Sequence, residues 1–401
     1  MEFLGQVVLF ALTIALGLNK INLTNALYGV AVVFAVGYVC RYGFSVVQCM
    51  KSFDKKILAL VLATVCVFFI TAIFGYDSSN ALRYFRKYSE WMLFGLLSAI
   101  SISLYTHNIM NTLTNAILTC GIVNSLVIFY EYIVLHIARA GIMFLGHPNN
   151  AGAILIFSLP FVLQLQANKY IKSLLCGIFV LALFLTGSKG ALIGLISLGT
   201  AFVVTNAEYI REYFKMNYAP IAFVVIVVLG AATFLGDRQE SIFERISYTV
   251  HNIDDISGKR VGYDRVFLWQ SAVRMIKDYP LTGVGLNNFN KVYVGEHYIL
   301  PEAQEPHLES PHNIFLMSAV ETGLPGLAVF VVLLMYQLTS LKKRAKYNKM
   351  FYPLFLALIG VMAHGMVDWV YWNWWFYKFY WFVVSIVWCA MMLEDYTEQN
   401  T

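Results

Sequence analysis

Charge is scarce in this chain: 13% of its 401 residues are Asp, Glu, Lys or Arg, about half the share found in soluble domains. With 59% hydrophobic residues and a mean hydropathy of +0.66, that scarcity excludes a soluble protein built on one core. Cysteine is sparse too. The six cysteines, Cys40, Cys49, Cys66, Cys120, Cys176 and Cys389, lie in or beside apolar runs, so neither a disulfide framework nor a zinc spacing can be drawn from them. The start, Met1-Glu2-Phe3, lacks the basic region of a cleaved secretory signal, so the first apolar run reads as a retained span. Solenoid repeats and low-complexity tracts are absent. A dinucleotide fingerprint is missing as well: Gly283-Val284-Gly285 places Asn288 where a third glycine belongs and follows a helix, not a strand.

What is present is a series of uncharged apolar runs of spanning length. A run of roughly 20 residues crosses the hydrocarbon layer as a helix, because lipid leaves no other way to satisfy the backbone. The fold class expected is an all-α polytopic membrane protein with about twelve transmembrane helices. The spans are placed near 4–18, 25–40, 57–75, 91–105, 112–135, 150–166, 171–185, 190–205, 219–236, 313–338, 351–366 and 370–393. The expected organisation is an N-terminal bundle over 1–236, one large loop over 237–312, and C-terminal helices with a short tail over 313–401. Basic residues such as Lys55, Lys56, Lys169, Lys172, Lys342, Lys343 and Arg344 gather in alternate loops, which places both termini in the cytoplasm and the large loop outside. The net charge of +5 then reflects topology, and no nucleic-acid partner is expected.

The large loop is where aqueous structure and function should concentrate. Val266, Trp269, Val273 and Ile276 recur at helical spacing, which predicts an amphipathic helix from about Asp264 to Pro280, lying along the membrane or simply covering the bundle. His307, Glu309 and His312 fall close together but match no standard zinc spacing, so no metal is expected.

Several strings carry a family resemblance. They are Ser310-Pro311-His312-Asn313 followed at a fixed interval by Gly323-Leu324-Pro325-Gly326, Arg265 to Trp269, Tyr279 to Gly285, Gly146-His147-Pro148-Asn149-Asn150, and Thr186-Gly187-Ser188-Lys189-Gly190-Ala191. Together they resemble the O-antigen ligase and O-antigen polymerase superfamily, a C-type glycosyltransferase-like arrangement. The resemblance implies inverting transfer of a glycan from undecaprenyl pyrophosphate to an acceptor hydroxyl, at the periplasmic face of the bacterial inner membrane. The ligase reading has lipid A-core as acceptor; in the polymerase reading the acceptor is a second carrier-linked repeat. Neither reading calls for a cofactor or a nucleotide.

That reaction needs a base and positive charge for the departing pyrophosphate. His312 is the candidate base, since a helix start beside it favours the neutral imidazole that can accept a proton. Arg265 is the first candidate pyrophosphate ligand, on a guanidinium and exposed helix N–H groups. Lys189 is the second, standing where the family usually has arginine; it keeps the charge and loses the bidentate fork. Arg83 and Arg86 are basic residues on the outer side, suited to carrier phosphates or to anionic lipid headgroups, and Glu90 is spaced to pair with Arg86. Asn313, Trp269, His147 and Asn149 are expected to support the site. Gly323 and Gly326 around Pro325 predict a broken span beneath it. The aromatic run from Trp369 to Trp381 reads first as an interfacial belt and second as a surface for sugar or isoprenoid. Asp368 and His364, at a span end, are expected to face the cavity. A transporter is the reading from another class, weakened by how few spans hold ionisable groups.

Overall fold

In a computed structural model the chain is helical, with no strand among the described residues. The structure describes residues 2–20, single positions from 24 to 37, and residues 54–103, 108–206, 263–296, 298–301 and 310–400. The expected span at 219–236, most of that at 25–40, and His307 and Glu309 lie outside the described residues.

The helices that matter to the site are α1 (Glu2–Gly17), α2 (Lys55–Phe74), α3 (Ser78–Ser103), α4 (Ile109–Ile133), α5 (Pro148–Ser158), α6 (Lys169–Leu185) and α7 (Lys189–Thr205), then α8 (Tyr263–Asp278), α9 (Phe289–Gly295), α10 (Ile314–Ala345), α11 (Tyr352–His364) and α12 (Trp374–Asn400). Side-chain caps mark several starts: Asp54 accepts from Lys56 N at 2.8 Å, Asn168 from Ile171 N at 2.9 Å, and Ser188 from Ala191 N at 3.2 Å. Among the described residues α2, α4, α10 and α12 are long and apolar enough to cross a membrane. Shorter apolar helices, α1, α7 and the 349–364 segment, accompany them. The chain is a helical membrane protein.

Two elements differ from the sequence expectation. The helix carrying Trp91 begins at Ser78, so Arg83, Arg86 and Lys87 stand on the helix itself and not in a loop ahead of it. The aromatic run is not an interfacial belt. Trp372, Trp375, Phe376, Tyr377, Phe379, Tyr380 and Trp381 are all buried, and 89% of the apolar stretch of α12 lies inside the protein. The reason is position: α12 packs against α3, α1 and α4, so its rings meet other rings instead of headgroups. Tyr88 of α3 stacks edge-on to Trp372 and Tyr377, and its hydroxyl donates to Trp372 O at 3.0 Å.

The expected break in the span after His312 is present. Gly323, inside α10, has φ 69 and ψ −179, and Pro325 follows as the helix restarts. Carbonyls freed by the break are taken up by the 280–285 turn: Val284 N donates to Val320 O at 2.8 Å and Gly285 N to Glu321 O at 3.0 Å. In return Leu324 N donates to Pro280 O at 2.8 Å. A Cβ on Gly323 would lie 2.4 Å from Leu281 O. Gly323→Ala is therefore expected to cost about 2 kcal/mol through left-handed backbone and steric conflict, read as a lower thermal midpoint of the detergent-solubilised protein; an unchanged midpoint would show that the turn can move aside.

Candidate functional site

The charged end of the bundle is assembled from helix ends. At α5, His147 is the N-cap: its Nδ1 accepts from Asn149 N at 3.1 Å, and Pro148 occupies the first turn where no N–H is needed. At α7, Thr186 and Gly187, with φ 60, close α6, and Ser188 opens the next helix with Lys189 as its first residue. At α10, Asn313 is the N-cap, its Oδ1 accepting from Phe315 N at 2.9 Å and Leu316 N at 3.1 Å. The Asn313 amide also donates to Met366 O at 2.9 Å, and Ile314 N to Gly365 O at 2.9 Å, so the start of α10 is bound to the end of α11. Trp269 of α8 donates from Nε1 to Pro311 O at 2.8 Å, which fixes α8 beside the same point.

Around this junction stands one carboxylate and three imidazoles. Asp368, in the connection between α11 and α12, is 4% exposed. Its Oδ1 accepts from Trp369 N at 2.7 Å, and its Oδ2 accepts from the Asn149 side-chain amide. His312 Nδ1 lies 3.9 Å from Oδ1 and His364 Nε2 lies 3.9 Å from Oδ2. Those distances are ion-pair reach and not hydrogen bonds. Burial, the largest influence on Asp368, opposes its ionisation; the two histidines and the Trp369 N–H outweigh it and hold the carboxyl below the usual carboxylate range. Burial also lowers the pKa of His147, against the pull of Asp368 and together with Arg139, His312 and Arg265. Neutral His147 suits its role as an acceptor at the N-cap.

His312 itself has φ 48, a left-handed conformation rarely held by a residue with a side chain. The strain is held by its neighbours: Pro311 is bonded to Trp269, Asn313 caps α10, and His312 N donates to Ser310 Oγ at 3.4 Å.

Residues 174–331 match the O-antigen ligase family. No curated protein sequence matches the chain. The matched segment runs from α6 into α10 and so carries Lys189, Arg265, Trp269, His312, Asn313, Gly323 and Gly326, the core of the resemblance legible in the sequence. His147 and Asn149 on one side, and His364 and Asp368 on the other, lie outside it; the fold brings them to the O-antigen ligase-type segment. Arg265, in the first turn of α8, is within electrostatic reach of His147 and His364. Arg83 and Arg86 are not brought into the cluster: both are exposed on α3, and Arg86 Nε lies 3.5 Å from Glu90 Oε1.

Three residues of this region escaped the reading of the sequence. Arg139 donates to Asn149 Oδ1 at 3.4 Å and so stands in the same network. Glu131, wholly buried at the end of α4, receives the backbone N–H groups of Gly141, Ile142 and Met143, the three residues that follow Ala140, whose N donates to Leu185 O at 3.2 Å. It is the clamp that shapes the loop bearing Arg139. Glu321 is 2% exposed in the first half of α10, and its backbone carbonyl, accepting from Gly285 N at 3.0 Å, secures the turn under the site. The usable signal was the presence of an acid within an apolar run. Glu131→Leu would leave those loop N–H groups unpaired; a loss of about 3 kcal/mol is expected, checked by thermal unfolding in detergent, where a midpoint equal to wild type would remove the clamp.

Proposed function

We propose that the protein is a glycosyltransferase of the O-antigen ligase type, moving O-antigen polysaccharide from undecaprenyl pyrophosphate to lipid A-core at the periplasmic face of the inner membrane. The O-antigen ligase match supports ligase- or polymerase-type activity on a lipid-linked glycan. The observation that carries the finer reading is His312 with Asp368 3.9 Å behind it and Arg265 within electrostatic reach of His147 and His364; Lys189 opens α7 next to Gly190, which packs on His364.

In this reading the His312 ring presents Nδ1 to Asp368, which leaves Nε2 for the acceptor hydroxyl. Nε2 takes the hydroxyl proton as the oxygen attacks the anomeric carbon from the face opposite the carrier. The bond from that carbon to the pyrophosphate oxygen breaks, and a single displacement inverts the centre. Asp368 stabilises the imidazolium that forms, as a buried carboxylate does in a nucleophile triad. Arg265 and Lys189 hold the departing pyrophosphate. Arg83 and Arg86 of α3 offer further positive charge to carrier phosphates. Asn149 and His147 fix the rear of the site, and Asn313 and Trp269 hold the backbone on which His312 stands.

His312→Ala is expected to lower transfer by more than tenfold with folding and insertion intact; activity above one-tenth of wild type removes His312 as the base. Arg265→Ala should lower it strongly and Arg265→Lys restore it in part, since lysine lacks the planar fork; full activity in the alanine form would leave Arg265 as a surface charge. The acceptor is tested in cells lacking the protein, with glycans resolved by size and carrier. Long polymer stranded on the carrier beside bare lipid A-core is the expected result. Core bearing a single repeat would instead assign the polymerase reaction, which shares the donor, and unchanged glycans would overturn both.

A further inference from the structure

His364 ends α11 with no exposed surface, and neither ring nitrogen has a hydrogen-bond partner among the described residues. A buried imidazole bonded at neither nitrogen is unusual enough to need a reason. Its place is kept open by a missing side chain: a Cβ on Gly190 would sit 2.4 Å from His364 Cδ2 and 2.8 Å from Nε2. The two imidazoles then address one carboxylate, His312 at Oδ1 and His364 at Oδ2 of Asp368. Oδ2 already accepts from Asn149 and has a lone pair for a second donor.

We propose that His364 is a positioning residue for His312: it engages the second oxygen of Asp368 and thereby sets how much of that carboxylate's charge reaches the base. The inference rests on the reading of His312 as the base. A closure of about 1 Å brings the His364 Nε2–H, 3.9 Å from Oδ2, within donating distance of that oxygen. A carboxylate satisfied on one oxygen stabilises an imidazolium at the other less strongly. The groups facing the pair are Asp368 between them, Arg265 of α8 and His147 of α5 within electrostatic reach, Arg139 acting on His147, and Lys189 of α7 adjoining Gly190. With so much positive charge at this end, His364 serves as a neutral donor.

The test is the pH dependence of transfer by the full chain in proteoliposomes, with undecaprenyl-pyrophosphate-linked glycan as donor and lipid A-core as acceptor. His364→Leu removes the donor, so the whole carboxylate charge acts on His312, and the acid limb should move to higher pH by about one unit. His364→Gln, a neutral donor of similar reach, should return the limb to its wild-type position. Gly190→Ala, which displaces the ring, should move it as His364→Leu does. A rate lowered evenly at every pH, with the limb unmoved in His364→Leu and Gly190→Ala, would reduce His364 to packing and overturn the proposal. Activity retained by His312→Ala in the same assay marks the different failure, that of the base itself.

Discussion

Helix ends in an apolar medium leave unpaired N–H and C=O groups that water cannot reach, and the arrangement of this protein follows from how those ends are satisfied. They are satisfied by each other. The first N–H of α10 goes to Gly365 O, the Asn313 amide to Met366 O, and the Asn149 amide to Asp368. Where α10 breaks at Gly323, the 280–285 turn supplies the missing donors. Each of these bonds joins segments far apart in the chain, so the same interactions that repair the backbone also bring the charged residues to one place.

Burial then gives that place its chemistry. Asp368 is nearly enclosed, yet the histidines and the Trp369 N–H keep its carboxyl ionised. A fixed negative charge in surroundings that screen it poorly acts strongly on whatever positive charge develops beside it. The helix starts of α5 and α10 meet at this carboxylate, and that of α7 packs on His364 through Gly190, so their positive dipole ends converge there. The dense aromatic packing of α12 on α3 supplies the rigid wall behind this region.

Much of this was legible from particular residues. Pro280 marks the end of α8, and Gly323 with Pro325 marks the break in α10. The histidine–asparagine string located His312 and Asn313, and the matched O-antigen ligase segment contains them. The aromatic run misled because interfacial belts and buried aromatic faces have the same composition; which one forms depends on the neighbours of α12. Arg83 and Arg86 misled in part, since spacing reports a helical face but not what that face meets.

The sequence by itself determined that the chain crosses a membrane, where α8 ends and α10 breaks, and which string holds the candidate base. These are properties of apolar run length, capping side chains and backbone freedom, all local in the chain. Only the tertiary structure decided that Asp368 stands behind His312, that His364 faces the other oxygen, and that Glu131 and Glu321 brace the loops nearby. Those pairings depend on which helix ends meet, and that is fixed by long-range packing and backbone bonds that no local pattern of residues encodes.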